Sequence, residues 1–199
     1  MQQQHEHQTN LTARTYRRTA GLWLVGGATW LAAGALGSGL HGRQFDIAEA
    51  LWISADLLLL GGLLGLRLLQ ADRQSRLGNV GLAVAIIGRV VFVAAELISL
   101  AQRSDDNALL PVAALLSAAG MVAYGLAVLR AGVWRGPCRF GPLAMGLYPF
   151  LVVFPLVAAN NGKPSAPAIA AWGVVAAGAV GVATLAARMT QSPHQVRST

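Results

Sequence analysis

The stretch Asn79–Ala101 reads NVGLAVAIIGRVVFVAAELISLA, an apolar run that carries Arg89 near its middle and Glu96 seven residues later. A helix of about 20 apolar residues is long enough to cross the hydrocarbon core of a bilayer. Seven residues make about two helical turns, so both charged side chains project from one face. A charge at bilayer depth costs about 2.5–3.5 kcal/mol on insertion scales, and such residues face the interior of a helix bundle. The stretch therefore predicts a membrane-spanning helix whose charged face packs against other helices.

The composition of the whole chain is that of a membrane protein. Of its 199 residues, 55% are hydrophobic and only 12% are charged, and the mean hydropathy is +0.53. Soluble globular domains carry about 25% charged residues. Long apolar runs recur along the chain and leave no stretch for a separate soluble domain. We predict an all-α, polytopic integral membrane protein, built as one bundle of six transmembrane helices.

The apolar runs define the predicted boundaries. The six spans are expected at about 20–40, 50–69, 79–101, 108–129, 142–159 and 168–188. Residues 1–19 form a polar and basic N-terminal tail, and residues 189–199 form a C-terminal tail that is predicted to be disordered. Pro149 and Pro155 both lie in the fifth span, and the loss of two backbone donors predicts a bend in that helix.

The basic residues alternate between the connections, which sets the predicted orientation. Eleven arginines flank the bundle at its two termini or lie in the second and fourth connections: Arg14, Arg17, Arg18, Arg67, Arg73, Arg76, Arg130, Arg135, Arg139, Arg188 and Arg197. The other three connections hold only Arg43, Arg103 and Lys163. Because cytoplasmic segments are enriched in Lys and Arg, both termini are predicted to be cytoplasmic, in a multi-pass protein of the cell (plasma) membrane surrounded by its lipids. The net charge of +7 is spread over short connections rather than one patch, so no nucleic-acid partner is expected.

The available residue types argue against a cofactor or a metal. Cys138 is the only cysteine, which excludes an internal disulfide and multi-cysteine metal centres; its thiol is either inert or a site of acylation. The predicted spans contain neither His nor Lys, which excludes an intramembrane bis-histidine haem, histidine-bound zinc and a retinal Schiff base. No glycine-rich phosphate motif for ATP or NAD is present. Ser38 beside His41 lacks the glycine spacing of a nucleophile elbow, and the Asp105–Asp106 pair lacks the further carboxylates of a magnesium cluster.

Three charged residues inside the spans form the candidate site. Asp56 lies in the second span, and a short basic turn joins this span to the helix of Arg89 and Glu96. Counted from the helix ends at about 1.5 Å per residue, the three residues lie in the outer half and near the midplane, so an antiparallel hairpin brings them into one pocket. Two carboxylates against one guanidinium leave excess negative charge, so we expect one carboxyl to hold a proton.

Other polar residues are assigned to the same candidate site by depth. Tyr124 in the fourth span and Tyr148 in the fifth are counted near the level of Arg89, where their hydroxyls would serve as ligands. The outer mouth of the pocket is predicted to be lined by three residues of the connections: His41, Asn160 and Asn161.

Small residues at helical spacing indicate close-packed faces. Gly61 and Gly65 form one pair, and Gly173, Ala177 and Gly181 form a longer stripe. Such faces allow helix backbones to approach closely in lipid, either within the bundle or between chains in a homo- or hetero-oligomer.

The function remains open between three classes, since no family motif is recognisable in these residues. The leading hypothesis is a non-enzymatic membrane protein whose buried polar site binds or moves a small solute or a proton. The first alternative is an integral-membrane enzyme of lipid or terpenoid chemistry that uses Asp56 or Glu96 as its acid. The second is a structural or regulatory subunit in which the charges only hold helices together.

Overall fold

The computed structural model of the protein describes residues 2–36, 40–104, 107–162 and 165–191, and these residues form helices and connections without a strand. The first four helices are Gln2–Ala35, Arg43–Leu69, Arg76–Gln102 and Leu109–Ala131. Ser38, the Asp105–Asp106 pair, Lys163 and residues 192–199 lie outside the described residues. The predicted all-α class is confirmed.

The fifth and sixth helices each change their hydrogen-bonding pattern along their length. The fifth consists of a 3₁₀ turn, Gly136–Phe140, followed by α-helix Gly141–Tyr148, π-helix Pro149–Val153 and α-helix Phe154–Ala159. The sixth consists of α-helix Ala166–Val175, π-helix Ala176–Val182 and α-helix Ala183–Gln191. In the fifth helix the N–H of Phe154 donates to the carbonyl of Pro149, five residues back. The departure from α geometry thus begins where proline removes a donor, as its position predicts.

Five helices of the described chain are long and apolar enough to cross a bilayer. They are the second, third and fourth helices, together with Gly136–Ala159 and Pro167–Arg188. The first helix differs because its first half is polar, and only residues from about 20 onward are apolar. Its apolar half is nevertheless part of the core, since Trp23 and Trp30 are buried.

Several helices extend beyond the predicted spans, because polar residues continue them. The first helix begins at Gln2 rather than at about 20, and residues 2–20 contain no glycine or proline to stop it. The second begins at Arg43 rather than at about 50, because Phe45, Ala48 and Glu49 turn toward the interior. The sixth runs to Gln191, so the first residues of the predicted C-terminal tail are helical.

The first helix packs between the second and the sixth. On the second helix, a Cβ at Gly61 would contact Leu22, and one at Gly65 would overlap Thr19. On the sixth helix, Gly173 faces the backbone of Gly27, and Gly181 faces Leu24. The described glycines of both small-residue faces therefore contact the first helix of the same chain. The side chain of Ala177 lies outside the described part of the structure, and association between chains stays a prediction.

The third and fourth helices approach most closely and set the register of the bundle. Gly88 lies against Ser117, and Gly81 lies against the backbone of Tyr124. The two contacts are seven residues apart on each helix and run in opposite directions along the chain, so the two helices are antiparallel. Neighbouring helices are antiparallel, and the sixth returns to the first. We call the end with the first, third and fifth connections the His41 end, and the opposite end the Arg67 end.

Candidate functional site

A buried ion pair joins the second and third helices. The guanidinium of Arg89 donates to Asp56 Oδ1, and the two side chains are 1% and 0% exposed. At the Arg67 end of the same hairpin, Arg67 donates to the side chain of Asn79. These two contacts fix the rotation of the second helix relative to the third, which the sequence pattern alone does not determine.

Three aromatic rings surround the guanidinium of Arg89. Its Cζ lies 4.8 Å from the ring centre of Trp172 on the sixth helix and 5.1 Å from those of Trp30 and Phe92. The Trp30 indole N–H also donates to the carbonyl of Ile169, at 2.7 Å. A cation over an aromatic face gains about 0.5–1 kcal/mol when exposed and about 2 kcal/mol or more when desolvated. The rings therefore offset part of the cost of burying Arg89.

Glu96 brings a second carboxyl group to Asp56. It is 6% exposed, and its carboxyl interacts directly with that of Asp56. Asp56 Oδ2, Glu96 Oε2 and Arg89 Nε are buried and have no hydrogen-bond partner within the described part of the chain. A buried polar atom left without a partner costs about 1–3 kcal/mol. Ionised carboxylates have only acceptors, so these two oxygens need a donor.

A third carboxyl, that of Glu49, belongs to the same group but was not predicted. Glu49 is 7% exposed and acts electrostatically on Glu96. It precedes Asp56 by seven residues, the same spacing that relates Arg89 to Glu96, so the signal was present in the sequence. The apolar pattern places it in the connection 41–49, outside the predicted second span. Among the described residues, the carboxyl groups of Asp56, Glu96 and Glu49 therefore accompany the guanidinium of Arg89.

Below Asp56, toward the Arg67 end, the inner face of the second helix becomes apolar. Leu59, Leu63 and Leu66 continue the inner face of the second helix and are at most 1% exposed. The next buried carboxyl in that direction is Asp72, in the second connection. On the second helix, these three leucines therefore separate the charged group from the Arg67 end.

The structure does not bring Tyr124 to the charged group, and the assignment of Tyr148 to that group stays a prediction. Tyr124 faces Gly81 and its hydroxyl lies 3.5 Å from the carbonyl of Leu66. Gly81 precedes Arg89 by eight residues, which places Tyr124 about 12 Å away along the axis. The depth of Tyr124 in the bundle is set by which residues of the third and fourth helices lie side by side, and a count from predicted helix ends does not contain this information. Tyr148 is half-buried and donates to the carbonyl of Ala168 at 3.2 Å, linking the fifth and sixth helices.

The predicted mouth residues lie at the His41 end. His41, Asn160 and Asn161 are exposed in the first and fifth connections. At the same end Arg103 and Asp46 form an exposed ion pair, with Nη2 and Oδ2 3.5 Å apart. Whether the mouth residues meet a ligand stays a prediction.

The aromatic rings around Arg89 lead to a stability prediction. We expect Trp172→Leu to lower the free energy of unfolding by about 1–2 kcal/mol more than Trp172→Phe, because phenylalanine keeps a ring face for the guanidinium. Unfolding in detergent, followed by circular dichroism, measures the difference. Trp134 is equally buried and has no arginine over its ring among the described residues. The same difference for Trp134→Leu against Trp134→Phe would contradict the role of the cation.

Comparison with known proteins returned no match of any kind: no protein-family model, no curated protein and no solved structure matches the chain.

Proposed function

We propose that the chain is a six-span membrane protein of the plasma membrane with both termini in the cytoplasm. The apolar half of the first helix supplies the sixth span beside the five long apolar helices. The orientation is supported by the arginines, because the connections of the Arg67 end and the two flanks hold eleven basic residues against three at the His41 end. The His41 end then faces the outside.

The proposed activity of this protein is to bind a proton at the Asp56–Glu96 pair and to use that site for moving the proton or a small solute. The observation that carries the proposal is that two buried carboxyl groups face each other, each with an unpartnered oxygen, beside a single guanidinium. A single proton supplies the missing donor, because one carboxyl then donates to the other. It also removes one of two like charges at short range in a medium of low dielectric constant.

The charge balance indicates which solutes suit the site. Before a proton binds, Asp56 and Glu96 together carry one negative charge more than Arg89 neutralises. A cationic or amine-bearing solute would therefore be favoured over an anion. Arg89 itself lies between Asp56 and three rings, the surroundings that bind organic cations.

The experiment is a proton-flux measurement in liposomes that hold a pH-sensitive dye, with the membrane potential clamped. We expect the internal pH to respond to an external pH jump faster with the native protein than in empty liposomes. Asp56→Asn and Glu96→Gln are expected to return the rate to that of empty liposomes, because each removes one carboxyl of the pair. Arg76→Gln, on the third helix but exposed at the Arg67 end, should keep the native rate.

The competing structural hypothesis rests on the ion pair and the rings, which hold four helices together. If the charges only stabilise the bundle, native and empty liposomes respond alike, and Asp56→Asn mainly reduces the fraction of monodisperse protein. Adding small organic cations to the same liposomes tests whether a solute competes with or accompanies the proton.

A further inference from the structure

We infer that Glu49 is the group through which protons from the His41 end reach the Asp56–Glu96 pair. This inference rests on the proposed function, since it assumes that the pair binds a proton. To the proposed function it adds one residue, Glu49, and the end of the bundle from which the proton enters.

The carboxyl groups are arranged in steps along the second and third helices. Asp46, Glu49 and Asp56 lie on one face of the second helix, because they are spaced by three and seven residues. Glu49 and Asp56 are about 10 Å apart along the axis, too far for direct proton transfer. Glu96 of the third helix interacts with both of them. It therefore provides the intermediate step.

One end of this series reaches the surface. Asp46 is 41% exposed and paired with Arg103 at the His41 end, one turn from Glu49. Glu49 and Glu96 are themselves buried, and Glu96 Oε2 has no hydrogen-bond partner in the described chain. The series therefore runs from the exposed carboxyl group of Asp46 to the buried carboxyl group of Glu96.

Toward the Arg67 end, the described inner face of the second helix carries no carboxyl group before Asp72. From Asp56 toward the Arg67 end, the inner face of the second helix presents Leu59, Leu63 and Leu66, and the facing interior includes Leu82 and Met121, all buried. Apolar side chains neither accept nor donate protons. The buried hydroxyl groups of Ser117 and Tyr124 lie on that side, but on the fourth helix.

The transfer itself balances without any further reactant. Hydronium gives its proton to the carboxylate of Glu49 and leaves as water. The Glu49 carboxylic acid then rotates about its side-chain bonds and passes the proton to the Glu96 carboxylate, which becomes the acid that donates to Asp56. Glu49 returns to its ionised form. The other charged groups near the path are Arg89, which remains paired with Asp56, and the surface pair of Asp46 and Arg103.

The test is the rate of hydrogen–deuterium exchange at the bound proton, read from the infrared carbonyl stretch of a protonated carboxylic acid after transfer of the intact protein to D₂O. We expect Glu49→Gln to keep the band but to slow its exchange by about tenfold or more, a rise of about 1.4 kcal/mol in the barrier. Glu49→Asp, which keeps a carboxyl group, should exchange closer to the native rate.

The matched control is Asp72→Asn, a buried carboxyl near the Arg67 end, which should exchange at the native rate. Native exchange in Glu49→Gln, or slow exchange in Asp72→Asn, would overturn the inference. If the native protein shows no acid band at all, the proposed function fails instead. If Glu49→Gln does not fold, Glu49→Met takes its place, because it keeps a similar side-chain length without a carboxyl group. The same slowing is expected, and exchange at the native rate there would also overturn the inference.

Discussion

Replacing Arg89 with leucine is expected to be the most destabilising single substitution in this protein. Asp56 would remain fully buried without its partner, and removing one member of a buried ion pair costs about 3–5 kcal/mol. The three ring contacts to the guanidinium would be lost as well. We expect the purified variant to unfold at a much lower temperature or to fail to accumulate, as measured by circular dichroism and gel filtration in detergent.

The control for this prediction is Arg76→Gln, an exposed arginine on the same helix. It is expected to change stability by less than about 0.5 kcal/mol. A double variant, Arg89→Met with Asp56→Leu, is expected to recover most of the loss, because neither member of the ion pair is then left buried without the other. Equal stability of Arg89→Leu and Arg76→Gln would show that the buried pair does not hold the helices together.

The second large effect is expected at Gly120, where the third and fourth helices touch. A Cβ at this position would overlap the backbone of Ala85 and of Gly81, and backbone cannot yield as a flexible side chain can. Overpacking of a close contact costs about 1–3 kcal/mol, and we expect Gly120→Ala to lie at the upper end of that range. Thermal unfolding in detergent measures the loss.

Gly21→Ala is the matched control for this substitution. It makes the same chemical change in a helix, but a Cβ at Gly21 would find no atom within 4 Å. Alanine is favoured over glycine in a helix by about 1 kcal/mol, so Gly21→Ala is expected to be neutral or slightly stabilising. If both substitutions change the unfolding temperature alike, the close approach of the third and fourth helices is wrong.

The burial of Asp56, Arg89 and Glu96 could be predicted, because a charged residue inside an apolar run is expected to face the interior of the bundle. Arg89 and Glu96 share a helix face by spacing, and a short turn forces the helix of Asp56 to lie beside them. Packing, burial and the ion pair follow from the need to shield these charges from lipid.

The rest of the site depended on information that spacing does not contain. Tyr124 was placed wrongly because its depth depends on the register set by Gly81 and Gly88, not on distance from a helix end. Trp172 could not be predicted, because an aromatic residue in an apolar span gives no indication of which charge it will contact. Glu49 was not among the predicted site residues because the predicted second span begins at about residue 50. The helix itself begins at Arg43, since polar residues can continue a helix beyond the apolar run.

The most direct test of the proton site is the infrared spectrum of the native protein at neutral pH, compared with Glu96→Gln. The account predicts the carbonyl stretch of one neutral carboxylic acid in the native protein. It also predicts loss of this band in Glu96→Gln, since Asp56 then remains ionised beside Arg89 while the variant stays folded. A native spectrum without an acid band, or a band unchanged by Glu96→Gln, would contradict a proton bound between Asp56 and Glu96.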